Sequence, residues 1–543
     1  MTICRKILNS IKSNLFSVYL IPLFFLSLLG IIGYHISPDY GLGWDENHYR
    51  EIGMSNVKYV LDLLFPKTLS SPYFEDLSTV KHLHSVDDGY YGPFFVTLMY
   101  LFEKIRLGAE ISELFQLRRI FLFSAFLIAV YTSFLFSYHL FGKKKYAYFS
   151  GLILLTTPVI FSNAFYNVGD ISLLIMYSYS LYAMLRFYKT PDLSRLIIMA
   201  LVASFSLNTR ILALPIWLCC LFILLIKLCI KEISFKKFIC FFISFNFIFL
   251  ITWYVFFPYA WAYPFNLLTD WRIHFKNKMT VLDTFIFGDI YAHTNRPWYY
   301  SLVYFCISVP FTYLFFGTLG FLKYLTDILK LMHPFQIKPL LQDRKLFFLG
   351  ICCCMFVFPI LLLSILPIST YNSWRHLYFI YVPWTILSVY GIKYTYDTFK
   401  QKIQKFFISS ILLSSFIFYG CRMVENHPFQ HLFFNSLAGT NLAQNYDMDY
   451  WAISDAKIVR DLIKSTENQI TISKIHDAPF SFNILTDKEK ENITFAKRNV
   501  SDYLINIIRY KTKDYIPPPN YRLWHEYYIA SEVFAKVYKK DDL

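Results

Sequence analysis

The sequence predicts a mostly α-helical protein that crosses a membrane many times and carries a small α/β domain after its last span. Of its 543 residues, 56% are hydrophobic and only 16% are charged. The mean hydropathy of +0.41 is far from that of a soluble domain. Apolar runs of roughly 20 residues, the length that crosses a bilayer core as a helix, recur along the chain. These observations indicate a polytopic membrane protein.

The apolar runs predict about eleven membrane spans. They begin near Leu15, Arg119, Tyr146, Ile171, Arg195, Ile211, Phe238, Tyr299, Phe347, His376 and Phe406. The first run is too long for a secretory signal and lacks a small-residue cleavage site, so we expect an uncleaved first helix. An odd number of spans would place the two ends of the chain on opposite sides of the membrane.

The distribution of basic residues predicts which side each loop faces. Lysine and arginine cluster in alternate short loops, for example Lys143 to Lys145, and such loops face the cytoplasm. The long segments then face the exoplasmic side. The predicted parts are the cytoplasmic N-terminus and first helix (1–36), the first exoplasmic loop (37–118), the bundle with its exoplasmic loop 257–298 (119–421), and the exoplasmic C-terminal domain (422–543).

The net charge of +15 follows largely from this topology. Nucleic acid is excluded as a partner because no basic stripe with interleaved aromatic residues is present.

The C-terminal segment differs in character from the bundle. It is polar and rich in lysine, with amphipathic stretches such as AKIVRDLIKS and the turn IPPPN, which predict a small mixed α/β domain. Nearly all of the ten cysteines lie in or beside predicted spans, so the exported segments have no disulfide framework. The run Cys352 to Cys354 is interpreted as packing residues, because consecutive helix positions point in different directions.

Carboxylates beside the membrane are the first candidate functional residues. Asp45 and Glu46 follow Trp44 in GLGWDENHY, close to the end of the first apolar run, and Asp170 ends the motif NAFYNVGD. A carboxylate in a partly desolvated setting is a candidate general base. The alternative interpretations are solvated loop residues or a helix cap for the acidic pair, and the N-terminal cap of the fourth span for Asp170.

Cations at the exoplasmic ends of spans are the second group. Arg210, Arg375 and His376 are the preferred candidates for binding an anion, and Arg296 and His293 precede the eighth span. The alternative role for such cations is anchoring at the lipid headgroups, which is the preferred interpretation of two further arginines, Arg118 and Arg119.

The stretch KHLHSVDDGYY contains residues with metal-ligand chemistry. These are His82, His84, Asp87 and Asp88. Their spacing matches no helical or zinc-finger pattern. A solvated loop is therefore the preferred interpretation.

The order of these motifs resembles that of the GT-C superfamily of membrane glycosyltransferases. The first helix and acidic pair are followed by YYGPFFVTLMYLF, RRIFLFSAF, NVGD, YNSWRHLYFIYVP and HPFQHLFFNSLAGTNLAQNYDMDYWAISDA. The resemblance covers about Leu15 to Ala456. It is strongest to protein O-mannosyltransferases and to lipid A aminoarabinose transferases.

The resemblance implies a fold, a reaction and a set of roles. It implies a GT-C-type bundle that transfers a sugar from a polyprenyl-phosphate donor to an acceptor hydroxyl of a glycan, lipid or protein, on the exoplasmic face of a bacterial inner membrane. Asp45 would be the base, with Glu46 and Asp170 as further catalytic carboxylates. Arg210, Arg296, Arg375 and His376 would bind the donor phosphate. No cofactor and no obligatory metal are expected, because arginines support a monophosphate leaving group.

Two other functions stay open from the sequence. One is a transporter or flippase of lipid-linked saccharides, although no inverted pair of interrupted helices supports it. The other is an oligosaccharide ligase or polymerase within the enzyme class.

Overall fold

A computed structural model describes residues 16–86, 88–106, 108–267, 269–270, 272–273, 283–292, 295–332, 337–365, 370–475, 481–510 and 515–541. Most of these residues are helical, and the larger of two sheets lies near the C-terminus. The predicted fold class, a polytopic helix bundle with a small C-terminal α/β domain, is confirmed.

The described helices and strands follow one another in this order. The helices are α1 Ile21–Ile36, α2 Glu46–Leu64, α3 Pro66–Leu69, α4 Pro93–Glu103, α5 Ile111–Phe141, α6 Lys144–Leu155, α7 Pro158–Tyr166, α8 Val168–Lys189, α9 Leu193–Leu207, α10 Leu214–Cys229, α11 Phe235–Val255, α12 Pro258–Ala262, α13 Tyr300–Ser308, α14 Phe311–Met332, α15 Ile337–Gln342, α16 Arg344–Ile365, α17 Tyr381–Thr398, α18 Lys402–Glu425, α19 Leu442–Asn445, α20 Asp455–Ser465 and α21 Asp487–Glu491. The strands are β1 Thr284–Ile286, β2 Asp289–Tyr291, β3 Ile470–Lys474, β4 Ile493–Phe495, β5 Tyr503–Ile507, β6 Tyr521–Ile529 and β7 Glu532–Lys540.

Fewer helices than expected have the length and composition of membrane spans. Among the described residues there are seven: Phe16–Asp39, Ile111–Phe141, Val168–Lys189, Ile211–Cys229, Phe235–Val255, Arg344–Ile365 and Lys402–Glu425. The pair α6 and α7, bent by 64°, makes an eighth if it is one span. The sequence predicted about eleven, and the other three runs form α9, α13 with α14, and α17. Helix α9 has only 15 residues, α13 has nine, and α14 and α17 both contain charged residues.

Helices α14 and α17 pack closely against each other and share a hydrogen bond to a charged residue. A Cβ atom on Gly320 would lie 1.9 Å from the Leu387 carbonyl oxygen, so the two backbones touch. At one end of this pair, Tyr390 donates to Asp327 Oδ2 at 2.5 Å and Lys323 forms an ion pair with the same carboxylate. Lys323 and Asp327 of α14 thus neutralise each other within the same helix.

The C-terminal domain is a five-stranded mixed sheet with a covering helix. The strand order is β4-β3-β5-β7-β6, with β3 parallel to β4 and β5, and β7 antiparallel to β5 and β6. Helix α20 buries Ile458, Val459 and Leu462, at the spacing of one helical face. The amphipathic stretch AKIVRDLIKS therefore forms the helix that its pattern predicts.

The C-terminal domain and the first long loop lie at the same end of the bundle. The Leu42 amide donates to Ser481 Oγ at 2.6 Å. Arg460 Nη1 donates to the Pro38 carbonyl at 2.6 Å. These contacts bring the segment that contains Asp45 against the tail.

Candidate active site

Asp170 lies in the first turn of α8 and is the buried centre of the site. Its side chain is only 1% exposed. Asn167, at the N-cap position, accepts from the Asp170 amide at 3.1 Å and donates to Asp170 Oδ2 at 3.0 Å. The interpretation of Asp170 as the helix cap is therefore wrong, because Asn167 performs that role and leaves the Asp170 carboxylate free for other partners.

Two guanidinium groups and one imidazole converge on the Asp170 carboxylate, and burial keeps the imidazole neutral by lowering the pKa of His376 to about 3. Arg210 Nη1 forms an ion pair with Oδ1, Arg375 Nη1 lies 3.6 Å from Oδ2, and His376 Nδ1 lies 3.8 Å from Oδ1. Arg210 directly precedes the short 3-10 helix Ile211–Ala213, and the other two begin the 3-10 helix Arg375–Ile380. We call Arg210, Arg375 and His376 the cation cluster. Three of the four predicted phosphate-binding residues thus meet at one point.

The cation cluster is buried but holds unused hydrogen-bonding atoms. Arg210 and Arg375 are 5% and 3% exposed, so neither arginine anchors the protein in the headgroup layer. Within the described part of the chain, Nε of both arginines and Nε2 of His376 have no hydrogen-bond partner. Buried polar groups without a partner are costly. Such groups beside two guanidinium ions favour an incoming anion.

Aromatic rings flank the two arginines. The Arg375 guanidinium lies 4.8 Å from the Tyr371 ring centre and 4.5 Å from that of Trp451, and Arg210 lies 5.2 Å from the ring of Tyr91. These cation–π contacts hold the guanidinium groups in place while excluding water. Sequence reasoning missed these three aromatic residues, since nothing distinguishes them from the many others at predicted membrane interfaces.

Asp45 is the carboxylate at the opening of the site. Its Oδ2 lies 3.2 Å from Arg375 Nη1, and 36% of its side chain is exposed. It occupies the N-cap position of α2, as the helix-cap interpretation has it, but its side chain makes no capping hydrogen bond. Trp44, 47% exposed, stacks on Tyr450 with ring centres 6.4 Å apart. An aromatic wall thus stands beside a carboxylate that a substrate can reach.

Glu46 is placed differently from its neighbour. It is 5% exposed, its Oε2 accepts from the Gly43 amide at 2.9 Å, and the same oxygen lies 3.1 Å from Arg119 Nη2. Arg119 also donates to the carbonyls of Tyr40 and Gly41, at 2.8 Å each. Glu46 and Arg119 therefore hold the fold of the loop that presents Asp45.

Arg118 and Arg119 are structural residues. They are 2% and 1% exposed, and Arg118 Nη1 lies 2.6 Å from Glu103 Oε1, a carboxylate that also binds Arg50 at 2.8 Å. Their interpretation as headgroup anchors is wrong. Basic residues before an apolar run are typical of anchors, and the folding of the first loop over α5 is what buries them.

Arg296 lies outside the cation cluster. Its guanidinium donates to Thr370 Oγ1 at 2.6 Å and to the Leu363 carbonyl at 2.5 Å, which ties the segment before α13 to the end of α16. His293 lies outside the described residues.

The loop with histidine and aspartate forms no metal site in the part that the structure describes. His48 Nε2 lies 3.4 Å from Asp88 Oδ2, and no group of three or more His, Cys, Asp or Glu residues among the described residues has metal-binding geometry. Asp87 and the side chain of His84 lie outside the described residues.

Comparison with known proteins gives structural matches at low identity. No family model matches the chain, and no curated protein sequence does. The structure is similar to the crystal structure of ArnT, a lipid A aminoarabinose transferase, from Cupriavidus metallidurans bound to undecaprenyl phosphate, with 12% identity over 95% of this chain and 97% of that chain and a TM-score of 0.47. The apo oligosaccharyltransferase of Archaeoglobus fulgidus matches with 12% identity over 83% of this chain and 62% of that chain, at a TM-score of 0.45.

The structural matches include one of the enzyme groups that the sequence motifs resemble, since ArnT is a GT-C transferase. The TM-scores of both matches are below 0.5. The side chains of the site, and not these matches, indicate what the protein does.

Proposed function

We propose that the chain is a membrane glycosyltransferase that moves a sugar from a polyprenyl-phosphate donor to an acceptor hydroxyl. The observation that supports this is the arrangement of two buried arginines and a histidine, with unused hydrogen-bonding atoms, beside the half-exposed carboxylate of Asp45. The reaction takes place on the exoplasmic face, which we assign to a bacterial inner membrane. The acceptor is a glycan, a lipid or a protein hydroxyl.

A side chain of the site can assist each bond change in the proposed transfer. The acceptor oxygen forms a bond to the anomeric carbon of the sugar, while the bond from that carbon to the phosphate oxygen breaks. The acceptor proton passes to the Asp45 carboxylate, which is the base. The donor phosphodiester carries one negative charge and leaves as a phosphate monoester with two. Arg210, Arg375 and the neighbouring His376 stabilise this second charge.

Arg375 links the proton transfer to the departure of the phosphate. It contacts Asp45 at 3.2 Å and Asp170 at 3.6 Å. When Asp45 accepts the proton, it loses its negative charge and no longer neutralises Arg375. The guanidinium is then free to neutralise the phosphate as that group gains charge. In a buried site this exchange is worth more than it would be in water.

Asp170 sets the charge balance of the empty site. Two arginines and two carboxylates sum to a net charge of zero, so the site folds without an excess of buried positive charge. Because Asp170 is 1% exposed and bound by Asn167 and Arg210, it orients the cations, and we assign it a positioning role.

The proposal makes a divalent cation unnecessary, because the two arginines supply the positive charge at the phosphate. We expect transfer by the purified protein to continue at its full rate in EDTA. Loss of transfer on chelation, with recovery on adding Mg²⁺ or Mn²⁺, would show that a metal takes part.

The test is a transfer assay with the purified chain in liposomes, polyprenyl-phosphate sugars and envelope extract as the acceptor source. Asp45→Asn keeps the size of the side chain and removes the base, so transfer should fall about 10²- to 10⁴-fold, while binding of undecaprenyl phosphate persists. Asn483→Ala, which removes an exposed contact to Asn47, is the matched control. A transporter or flippase would move lipid-linked sugar equally well with Asn at this position, and that result would contradict the proposal.

A further inference from the structure

A polar cavity lies beside the cation cluster, between the bundle and the C-terminal domain. Its volume is about 50 Å³, and its walls include Tyr166 of α7, His431, Asp447, Tyr450 and Trp451. We call it the Asp447 cavity. Trp451 connects the two places, because it lines the cavity and its ring lies 4.5 Å from the Arg375 guanidinium.

The Asp447 cavity presents buried atoms that have no hydrogen-bond partner among the described residues. They are Oδ2 of Asp447, Nδ1 of His431 and the hydroxyl of Tyr166. Asp447 is 4% exposed and Tyr166 3%, and the His431 side chain is 10% exposed. Three unpaired buried groups facing one polar cavity point to a ligand or to ordered water.

Two of these atoms are hydrogen-bond acceptors. Asp449 accepts from the amides of Ile453 and Ser454, at 2.9 Å each, and its Oδ1 lies 3.2 Å from His431 Nε2. The carboxylate therefore holds the proton of His431 on Nε2 and leaves Nδ1 as an acceptor. Asp447 Oδ1 binds Arg509 Nε at 2.9 Å, so Oδ2 is also an acceptor. The Tyr166 hydroxyl can donate or accept, so the cavity offers two acceptors and one hydroxyl, which suits hydroxyl or amino groups better than a phosphate or carboxylate.

The walls and backbone of the cavity are also those of a ligand site. Tyr450 and Trp451 line the cavity with aromatic rings, and such rings can contact the apolar side of a sugar ring. Asn372 and Ser373, which also line the cavity, have positive φ angles of 55° and 62°. Non-glycine residues held in this conformation are uncommon and concentrate at functional sites.

From these observations we propose that the Asp447 cavity is a sugar subsite, which binds the hydroxyl- or amino-bearing edge of one sugar ring. The cavity volume of about 50 Å³ limits how much of a saccharide can enter. It is enough for a few waters or part of one sugar ring, but not for an oligosaccharide. The inference rests on the proposed function, because a sugar here lies next to the cations that hold the phosphate. The sugar belongs to the donor or to the acceptor.

The test measures binding of free monosaccharides to the full-length purified protein by saturation-transfer NMR. The probes are D-mannose, D-galactose and D-glucosamine. At least one should bind, and Tyr166→Phe and His431→Gln should each weaken it about three- to tenfold, as loss of one hydrogen bond does. The Gln amide keeps a donor for Asp449. Tyr179→Phe, which loses a hydroxyl bonded to Ala125 away from the cavity, is the matched control and should bind as wild type.

A second arm identifies the source of the sugar. Each sugar is compared with its 1-phosphate. If the donor sugar occupies the cavity, the phosphate reaches the cation cluster, so the 1-phosphate binds more tightly and Arg375→Lys removes the gain. If an acceptor sugar occupies it, the phosphate gives no gain. Either outcome supports the subsite.

Two results would overturn the inference: no binding of any of these sugars, or binding that both cavity variants leave unchanged. Binding of undecaprenyl phosphate is measured on the same samples. If that lipid fails to bind while the sugar signal still depends on Tyr166 and His431, the proposed donor fails and the sugar subsite stands. The reverse pattern removes the subsite alone.

Discussion

Arg375 and Arg296 make a direct comparison at the scale of single residues. Sequence reasoning gave both arginines the same role, yet Arg375 lies between Asp45 and Asp170 while Arg296 bonds to Thr370 and a backbone carbonyl. The first has an unpaired buried Nε and so can bind a phosphate without giving up a hydrogen bond. The second would have to break the contacts that hold its loop.

We therefore predict that Arg375→Ala weakens binding of undecaprenyl phosphate by about 1.5–3 kcal/mol, the range for hydrogen bonds to charged groups. Arg296→Ala should change the Kd for undecaprenyl phosphate less than threefold. Binding to both variants is measured by quenching of intrinsic tryptophan fluorescence, after gel filtration has shown that they are folded. Equal losses in the two variants would restore Arg296 to the phosphate site.

Arg118 gives a prediction on stability. Its guanidinium is 2% exposed and shares Glu103 with Arg50. Arg118→Ala removes the charged hydrogen bond to Glu103 Oε1 while Arg50 still pairs with Oε2, so it should destabilise the protein by about 1.5–3 kcal/mol. The measurement is thermal unfolding in detergent. The control is Lys488→Ala, which changes an exposed residue of α21. If Arg118→Ala lowered the melting temperature no more than Lys488→Ala does, Arg118 would not be part of the core.

Asp447 gives a prediction on pH. Burial raises its pKa to about 6, although Arg509 opposes the shift. Below about pH 4 the group is protonated in both folded and unfolded chains. Between about pH 4 and pH 6 the folded chain keeps a proton that the unfolded chain loses, so stability falls as the pH rises, by about 3 kcal/mol in total.

Asp447→Asn should abolish that part of the pH dependence. The groups that face this carboxylate are Arg509, Tyr300 and Tyr304, and none of the three titrates in that range. Thermal unfolding at about pH 4 and about pH 7 is compared between wild type and variant. If stability changed with pH equally in wild type and in Asp447→Asn, the pH dependence would come from another group.

Close backbone contact between α14 and α17 is testable at the scale of secondary-structure elements. A Cβ on Gly320 would meet the Leu387 carbonyl oxygen at 1.9 Å, and one on Gly391 would meet that of Phe316 at 2.0 Å. Gly320→Ala and Gly391→Ala should each destabilise the bundle by about 1–3 kcal/mol, as overpacking does. Gly420, in α18, has nothing within 4 Å of its would-be Cβ.

Gly420→Ala is the matched control, and we expect it to be neutral or slightly stabilising, since alanine favours helices over glycine by about 1 kcal/mol. Melting temperatures in one detergent compare the three variants. If all three unfold at the same temperature, the two helices separate enough to admit a methyl group.

The positions of the helices are easier to predict from the sequence than the contacts between them. Each predicted span begins at or near a described helix, because about 20 apolar residues leave few other possibilities. The pattern could not show that Tyr390 of α17 donates to Asp327 of α14, since that depends on which helices are neighbours. For the same reason, Asp45, Arg375 and Asp170 could be selected singly, whereas the pairing of Glu46 with Arg119 could not.

At the scale of the whole molecule, the contacts of the tail with the first loop place both on one side of the membrane. Lysine-rich loops at the other end of the spans predict that this side is exoplasmic. A membrane-impermeant maleimide should therefore label Asp541→Cys in intact spheroplasts, while Lys400→Cys should react only after lysis. Both changes are made in a chain whose ten native cysteines are replaced by serine or alanine. The opposite labelling pattern would invert the topology.

The contact between Trp451 and Arg375 also has a meaning for biogenesis. The ribosome makes Trp451 after α18, the last candidate span, so a nascent chain contains Asp45, Asp170 and both arginines while one wall is still missing. Only after the tail has been translocated to the side of the first loop does that aromatic ring cover the guanidinium. A chain stalled during synthesis or truncated before Trp451 would expose the cations to water and to any passing lipid phosphate. The site is therefore complete only in a chain whose tail lies on the same side of the membrane as the first loop.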